Sequence, residues 1–166
     1  MAQVFNEVLD VDGEMKQAPD FWDVSRDVFP NTRGFSTDVM LVQALLVGYF
    51  MAPAGVRPDL KAQAIQIISV FSALRGGKRF DDGFYGESTR AVMSLLEEDM
   101  RAPFKDGIVR SVARRSMKGP ETKLMRLNFQ WNMTMLTDVL GTTKRETGRR
   151  ALHPVLFHEL YDPLGG

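Results

Sequence analysis

The sequence predicts an all-α protein, a compact helical bundle preceded by an irregular N-terminal arm and followed by extra C-terminal helices. Two observations lead there. From Ser36 onward apolar residues return every three or four positions, the spacing of a helix with one buried face. Ser, Pro and Gly stand where such helices would start and stop. The chain has 166 residues, 44% hydrophobic and 25% charged, the size and composition of one domain able to bury a core.

The elements follow in order. Residues 1–35 mix acids, Gly, Pro and isolated aromatics and keep no period of 2 or 3.6 for long. They predict an arm with at most short strands or one turn of helix, and Phe21, Trp22 and Phe29 are expected to dock on the core. A first helix starts at Ser36 or Thr37 as N-cap, with Val39, Val42, Leu46, Tyr49 and Phe50 on one face. A second opens on Pro58, carries Leu60, Ala64, Ile67, Ile68, Phe71 and Leu74, and stops at Gly76-Gly77. After the loop Lys78–Gly86, a third runs from Ser88 to Met100 with Val92, Leu95 and Leu96 inward. A basic helix is predicted over Asp106–Met117, and a long one over Pro120–Leu140 with Leu124, Leu127, Trp131, Met135 and Val139 in step and Gly141 as its stop. Residues 142–150 read as polar linker, and a short last helix starts at Pro154 with Leu156, Phe157 and Leu160. This divides the chain into an arm (1–35), a helical domain (36–141) and a linker with a C-terminal helix (142–166).

Charge balances at 21 basic and 21 acidic residues, so no overall field favours a polyanion. It is uneven locally. Seven acids in the first thirty residues face only Lys16 and Arg26, while residues 101–126 hold eight Lys or Arg against Asp106 and Glu121. The absence of cysteine excludes disulfides, thiolate metal sites and a cysteine nucleophile. The acidic start lacks a basic n-region and a long apolar run, so the expectation is synthesis in the cytoplasm without a signal peptide. The stretch from Val39 to Pro53 is too short and too interrupted to span a bilayer.

The most specific local pattern is Asp82-Gly83-Phe84-Tyr85-Gly86-Glu87-Ser88-Thr89-Arg90-Ala91-Val92. Gly83 and Gly86 allow positive φ where the chain reverses, and Asp82 can accept amides two residues on. Tyr85 can plug a gap between helices, and Thr89 can satisfy free amides at a helix start. This segment resembles the turn-into-helix signature of the peptidoglycan-binding-domain-like superfamily, D-G-x-[FY]-G-x-x-T-x-x-A-V-x-x-F-Q. Asp82, Gly83, Tyr85, Gly86 and Thr89 match it. Asp38-Val39-Met40-Leu41-Val42-Gln43-Ala44-Leu45-Leu46 is similar to that family's first helix, D-V-x-x-L-Q-x-L-L. The resemblance covers residues 36–100 and implies a wall-binding groove with Asp82, Phe84, Tyr85, Thr89 and Gln43 as ligand residues. Two departures stand out. The stretch from Gly48 to Phe80 is longer than the compact family module allows, and Leu96-Glu97 replaces the terminal Phe-Gln. A fainter echo, Gly119-Pro120-Glu121-Thr122 with Phe129-Gln130, reads more simply as an ordinary capped helix start.

Other chemistry finds less support. His153 and His158 are five apart, a spacing that does not set two metal ligands on one helix face, and they read as a helix-start residue and a surface or packing residue. Asp10-Val11-Asp12-Gly13-Glu14 lacks the full oxygen-ligand pattern of a calcium loop. Gly76-Gly77-Lys78 lacks the phosphate-loop frame. Glu97-Glu98-Asp99 splay around a helix and read as a solvated face rather than paired carboxylates. No metal, cofactor or catalytic residue is expected. Arg110, Arg114 and Lys118, with Arg115, form a candidate patch for an anionic partner, or a solvated face partly neutralised by the arm. Without interleaved aromatics the patch lacks the stacking half of a nucleic-acid site. Three expectations result: a non-catalytic peptidoglycan-binding module acting at the wall after lysis or non-classical export; an assembly or adaptor part of a phage particle or contractile injection apparatus; and, last, a wall hydrolase.

Overall fold

Ser36 starts the element around which the others are arranged. In the computed structural model, which describes residues 2–5, 8–11, 14–17, 20–31, 33–52, 55–112, 122–135 and 144–162, helix α1 spans Thr37–Phe50. Ser36 is extended and its hydroxyl accepts the Val39 amide, one of the free donors at a helix start. Twelve of the fourteen residues of α1 are buried, so the helix lies inside the protein instead of on its surface. A stripe of five inward residues had been expected, and the whole cylinder is covered.

The remaining helices supply that cover. Helix α2 (Pro58–Leu74), α3 (Glu87–Asp99), α4 (Lys123–Met135) and α6 (Pro154–Tyr161) all pack on α1, and α5 (Lys144–Ala151) bridges α4 and α6. The all-α bundle read from the sequence is therefore the observed class. Two small antiparallel pairs accompany it. Strand β1 (Gln3–Phe5) pairs with β4 (Phe21–Asp23), and β2 (Val8–Val11) with β3 (Glu14–Gln17).

The arm belongs to the core. Trp22 is fully buried and receives contacts from three helices. Its amide donates to Asn128 Oδ1 (2.9 Å), and Asn128 Nδ2 donates back to the Trp22 carbonyl (2.9 Å). Its indole N–H donates to Tyr161 (2.7 Å), its ring lies 4.9 Å from that of Trp131, and Gly148 packs at its edge. Phe21 is partly buried beside it. Phe29 differs from expectation: it is half exposed, because the adjoining chain is held instead through the Val28–Val109 bridge.

Residues 106–112 do not begin the basic helix predicted over 106–117. They form a turn and an extended run. Gly107 takes φ +73, the Asp106 carboxylate caps the Ile108 amide (3.0 Å), and Val109 exchanges both backbone bonds with Val28. Asp27 accepts the Ser111 amide, while Asp23 accepts the Ser111 hydroxyl and the Val112 amide. Among the described residues, two acids of the arm, Asp23 and Asp27, thus hold backbone and a serine of this run.

Glu97 also differs from its expected solvated setting. It is 1% exposed and fastens three segments together. Its carboxylate accepts from Arg90 (2.9 Å), Lys123 (2.5 Å) and the Gly107 amide (2.8 Å). Lys123 also reaches Asp106 Oδ1 (2.9 Å) and the Ile108 carbonyl (3.0 Å). Burial opposes the charge on Asp106, but bonds from Lys123, the Ile108 amide and Arg110 outweigh it and hold the carboxyl well below its usual range.

Residues 144–150, expected as linker, lie in α5 because Lys144, Thr147 and Gly148 are buried there. Lys144 Nζ donates to Asn128 Oδ1 (2.7 Å) and sits 4.4 Å above the Trp22 ring. The predicted starts of α2 and α6 are those observed, and Gly77 closes α2 with an amide bond to the Ser72 carbonyl (2.8 Å). Leu74, expected inward, is 77% exposed at that end. Residues 136–141, which include Val139 and Gly141, lie outside the described residues.

Desolvation lowers the Lys144 pKa to about 7, against a nearby Asp20 charge that raises it, whereas an unfolded lysine titrates at 10.5. Between those values the unfolded chain holds the extra proton, so stability increases as pH rises from about 7 toward 10. Thermal unfolding of wild type and Lys144→Met across this window should show the rise in the wild type and its loss in the variant; parallel curves would refute the assignment.

Candidate functional site

The turn between α2 and α3 is organised by one buried amide side chain. Gln43 projects from the middle of α1 and is completely buried. Its Oε1 accepts the Gly83 amide (2.8 Å). Its Nε2 donates to Asp82 Oδ1 (3.0 Å), the Phe84 carbonyl (2.9 Å) and Thr89 Oγ1 (2.9 Å), two hydrogens shared among three oxygens. Asp82 Oδ1 also accepts the Phe84 amide (3.0 Å), the local bond expected of Asp at a turn. Gly83 is required twice over. It adopts φ +82, and a Cβ there would stand 2.6 Å from the Phe35 ring. The Gly83 carbonyl then accepts the Ser36 amide (2.9 Å), tying the turn to the start of α1.

Four of the five expected ligand residues are thus in one cluster, but three of the five, Gln43, Tyr85 and Thr89, are buried. Gln43 and Thr89 are buried with their polar atoms engaged, and Thr89 bonds Gln43 rather than capping α3, whose N-cap is Gly86. Tyr85 is buried as well, as its plug-like role in the turn requires. Its hydroxyl donates to the Gly107 carbonyl (2.6 Å), and burial pushes its pKa well above the usual tyrosine value. Gly86 has φ −104, so its expected left-handed role is not used. Only Asp82 and Phe84 reach the surface. Asp82 Oδ2 has no hydrogen bond among the described residues, and Phe84 is 51% exposed.

Those two residues border a groove of about 440 Å³. Phe35 and Phe84 stand edge to face across 6.0 Å at its rim, both half exposed. Arg75, Lys78, Arg79, Asp81 and His153 complete its polar wall. Arg79 is committed to buried Asp81 (2.8 and 2.9 Å) and to the Ala151 carbonyl (2.7 Å), which fixes the wall. Arg75 lies 4.1 Å over the Phe71 ring, and no ion pair engages Lys78 among the described residues. His153 Nδ1 accepts the Val155 amide as the N-cap of α6. On the other side of the same loop lies a more apolar cavity of about 330 Å³, against Gly48, Ile68, Phe80 and Trp131.

Sequence reasoning missed Phe35, Arg75, Lys78 and Arg79. Their signal was a cluster of three cations around Gly76-Gly77, with an aromatic immediately before the cap of α1. Of the anionic-partner patch only Arg110 is among the described residues. Arg110 pairs with Asp106 (2.9 Å) and stands 5.9 Å over Phe104, off any helix, while Arg114, Arg115 and Lys118 lie outside the described residues. Among the described residues no three His, Asp or Glu converge as a metal site, and no helix is long and apolar enough to cross a membrane.

The chain matches no protein-family model, and no curated protein or solved structure is significantly similar to it. Replacing Gln43 with Leu should cost about 1–3 kcal/mol in urea unfolding, because the buried Gly83 amide loses its acceptor. An unchanged midpoint would show that the clasp does not hold the turn.

Proposed function

We propose that this chain is a non-catalytic binding module for the peptidoglycan of a bacterial wall, with the polymer lying in the groove beside the Asp82–Gly83 turn. The observation that carries the reading is the half-exposed Phe35–Phe84 pair facing Arg75 and Lys78 across one groove. Wall polymer alternates sugar rings with short peptides. The apolar face of a sugar suits an aromatic rim, the peptide carboxylates suit Arg75 and Lys78, and an amide or hydroxyl suits the spare oxygen of Asp82. The likeness of the turn and of α1 to the superfamily signature supports the same ligand, and Gln43 gives that signature a physical purpose here. The module would meet the wall after lysis or through a dedicated export machine.

An assembly or adaptor role is the second reading. Phe104 and Phe129, 66% and 56% exposed, favour it, since aromatic side chains are enriched at the centres of protein interfaces. Native mass measurement of the protein with its neighbouring gene products would detect such a partner.

The wall reading is tested by pull-down on purified sacculi. Phe84→Ala and Lys78→Glu, both at the surface, should each reduce the retained fraction about three- to tenfold. Retention of the double variant at wild-type level would overturn the groove as the binding site. Tyr85 is a poor choice for this test, because its replacement would unsettle the turn itself.

A further inference from the structure

The cavity of about 330 Å³ across the loop from the groove has a construction of its own. Its floor is apolar. Ala44 and Gly48 of α1, Phe80 of the loop and Trp131 of α4 are buried there, with Val47 and Ile68 partly buried around them. Gly48 sets the level of that floor. A Cβ at this position would stand 2.7 Å from Cε3 of Trp131, so glycine is what lets the indole lie against α1. The mouth lies where the lining is exposed, at Gly77 and Lys78.

Water suits such a space poorly, since an ordered water needs about two to four polar partners. Few in the lining are unengaged. Arg79 and Asp81 satisfy each other through two bonds (2.8 and 2.9 Å), and Arg79 also donates to the Ala151 carbonyl (2.7 Å). The Ser72 hydroxyl and the Lys78 ammonium remain, neither with a hydrogen bond or ion pair among the described residues. The Gly77 amide bond to the Ser72 carbonyl (2.8 Å) keeps these two residues on the same side of the cavity. Lys78 and Arg79 against Asp81 leave the lining with one positive charge, and it sits at the mouth on Lys78.

We infer that this cavity binds a medium-chain alkyl carboxylate, its chain on the Trp131 floor and its carboxylate at Lys78. At roughly 30 Å³ for each water-sized group, the space takes on the order of ten non-hydrogen atoms. Octanoate has that size. Its chain exchanges contact with water for contact with Val47, Ile68 and the Trp131 ring. Its carboxylate stays at the mouth, partly in water, where Lys78 supplies the opposite charge and the Ser72 hydroxyl a donor. A cationic head would be repelled by Lys78, and a neutral one would leave that charge unused. The wall reading is not needed for this, because the groove lies on the other side of the loop.

Octanoate titrated calorimetrically into the full chain should bind with a Kd on the order of 0.1 mM, an ordinary strength for a ligand of about ten atoms. Octanoate carrying a terminal bromine should quench tryptophan emission saturably at the same midpoint, because its tip reaches Trp131. Ser72→Leu and Ala151→Leu fill the cavity from α2 and from α5, and each should weaken octanoate at least about tenfold. Either one suffices if the other fails to fold. Lys78→Met, at an exposed position, should weaken octanoate about two- to fivefold and leave the weaker binding of octanol unchanged. No saturable binding by about 5 mM octanoate, far above the expected Kd, would overturn the proposal. So would binding that survives both filling variants, or octanol that binds the wild type as tightly as octanoate.

Discussion

A helix buried on all sides dictates much of this architecture. Twelve of the fourteen residues of α1 are out of water, and few of them are polar. An element of that kind cannot rest against one neighbour; it must be wrapped. Helices α2, α3, α4 and α6 each take part of its circumference. Asp38, Gln43 and Tyr49, whose hydroxyl donates to Asp99, are points where the enclosing shell has to offer hydrogen bonds. Asp38 is met by the amide and hydroxyl of Ser25 in the arm, and Gln43 by the turn ahead of α3. Two segments without regular helix are thereby fixed in place by two polar side chains of one buried helix.

What could be read in the sequence separates along physical lines. Helix starts depend on local chemistry, so Ser36, Pro58 and Pro154 were placed correctly by their own types and neighbours. The Asp82–Gly83 turn was legible for the same reason. The failures needed distant partners. Arg110, Arg114 and Lys118 have helix-like spacing, yet Val28, Asp23 and Asp27, some eighty positions before residues 109–112, draw that part of the backbone into an extended run. Nothing within residues 144–150 announces that Lys144 will find Asn128 and the face of Trp22. Glu97 looked like one of three surface acids, and its burial is explained by Arg90 on the same helix together with the more distant Lys123 and Gly107 amide. The site was half legible in a similar sense. The motif located the turn but implied that its residues face a ligand, whereas Gln43, Tyr85 and Thr89 are consumed in building it.

That division shapes how the groove works. A rigid turn, clasped from below by Gln43 and from the side by the Ser36 amide, presents Phe84 and Asp82 at a fixed angle to Phe35. The Arg79–Asp81 pair anchors the opposite wall. A shallow groove of this kind offers few points of contact.

The docking of Trp22 has a consequence for the order in which the protein is made. Its partners Asn128, Lys144 and Tyr161 lie more than one hundred residues further along the chain. As the chain emerges from the ribosome, the arm appears well before its binding site. Helices α1 to α3 can come together early through contacts closer in sequence, while the indole waits, its apolar surface uncovered, for α4 to α6. Synthesis therefore passes through a stage in which the arm is made but still unplaced, and the rate at which residues 122–162 follow sets how long that stage lasts.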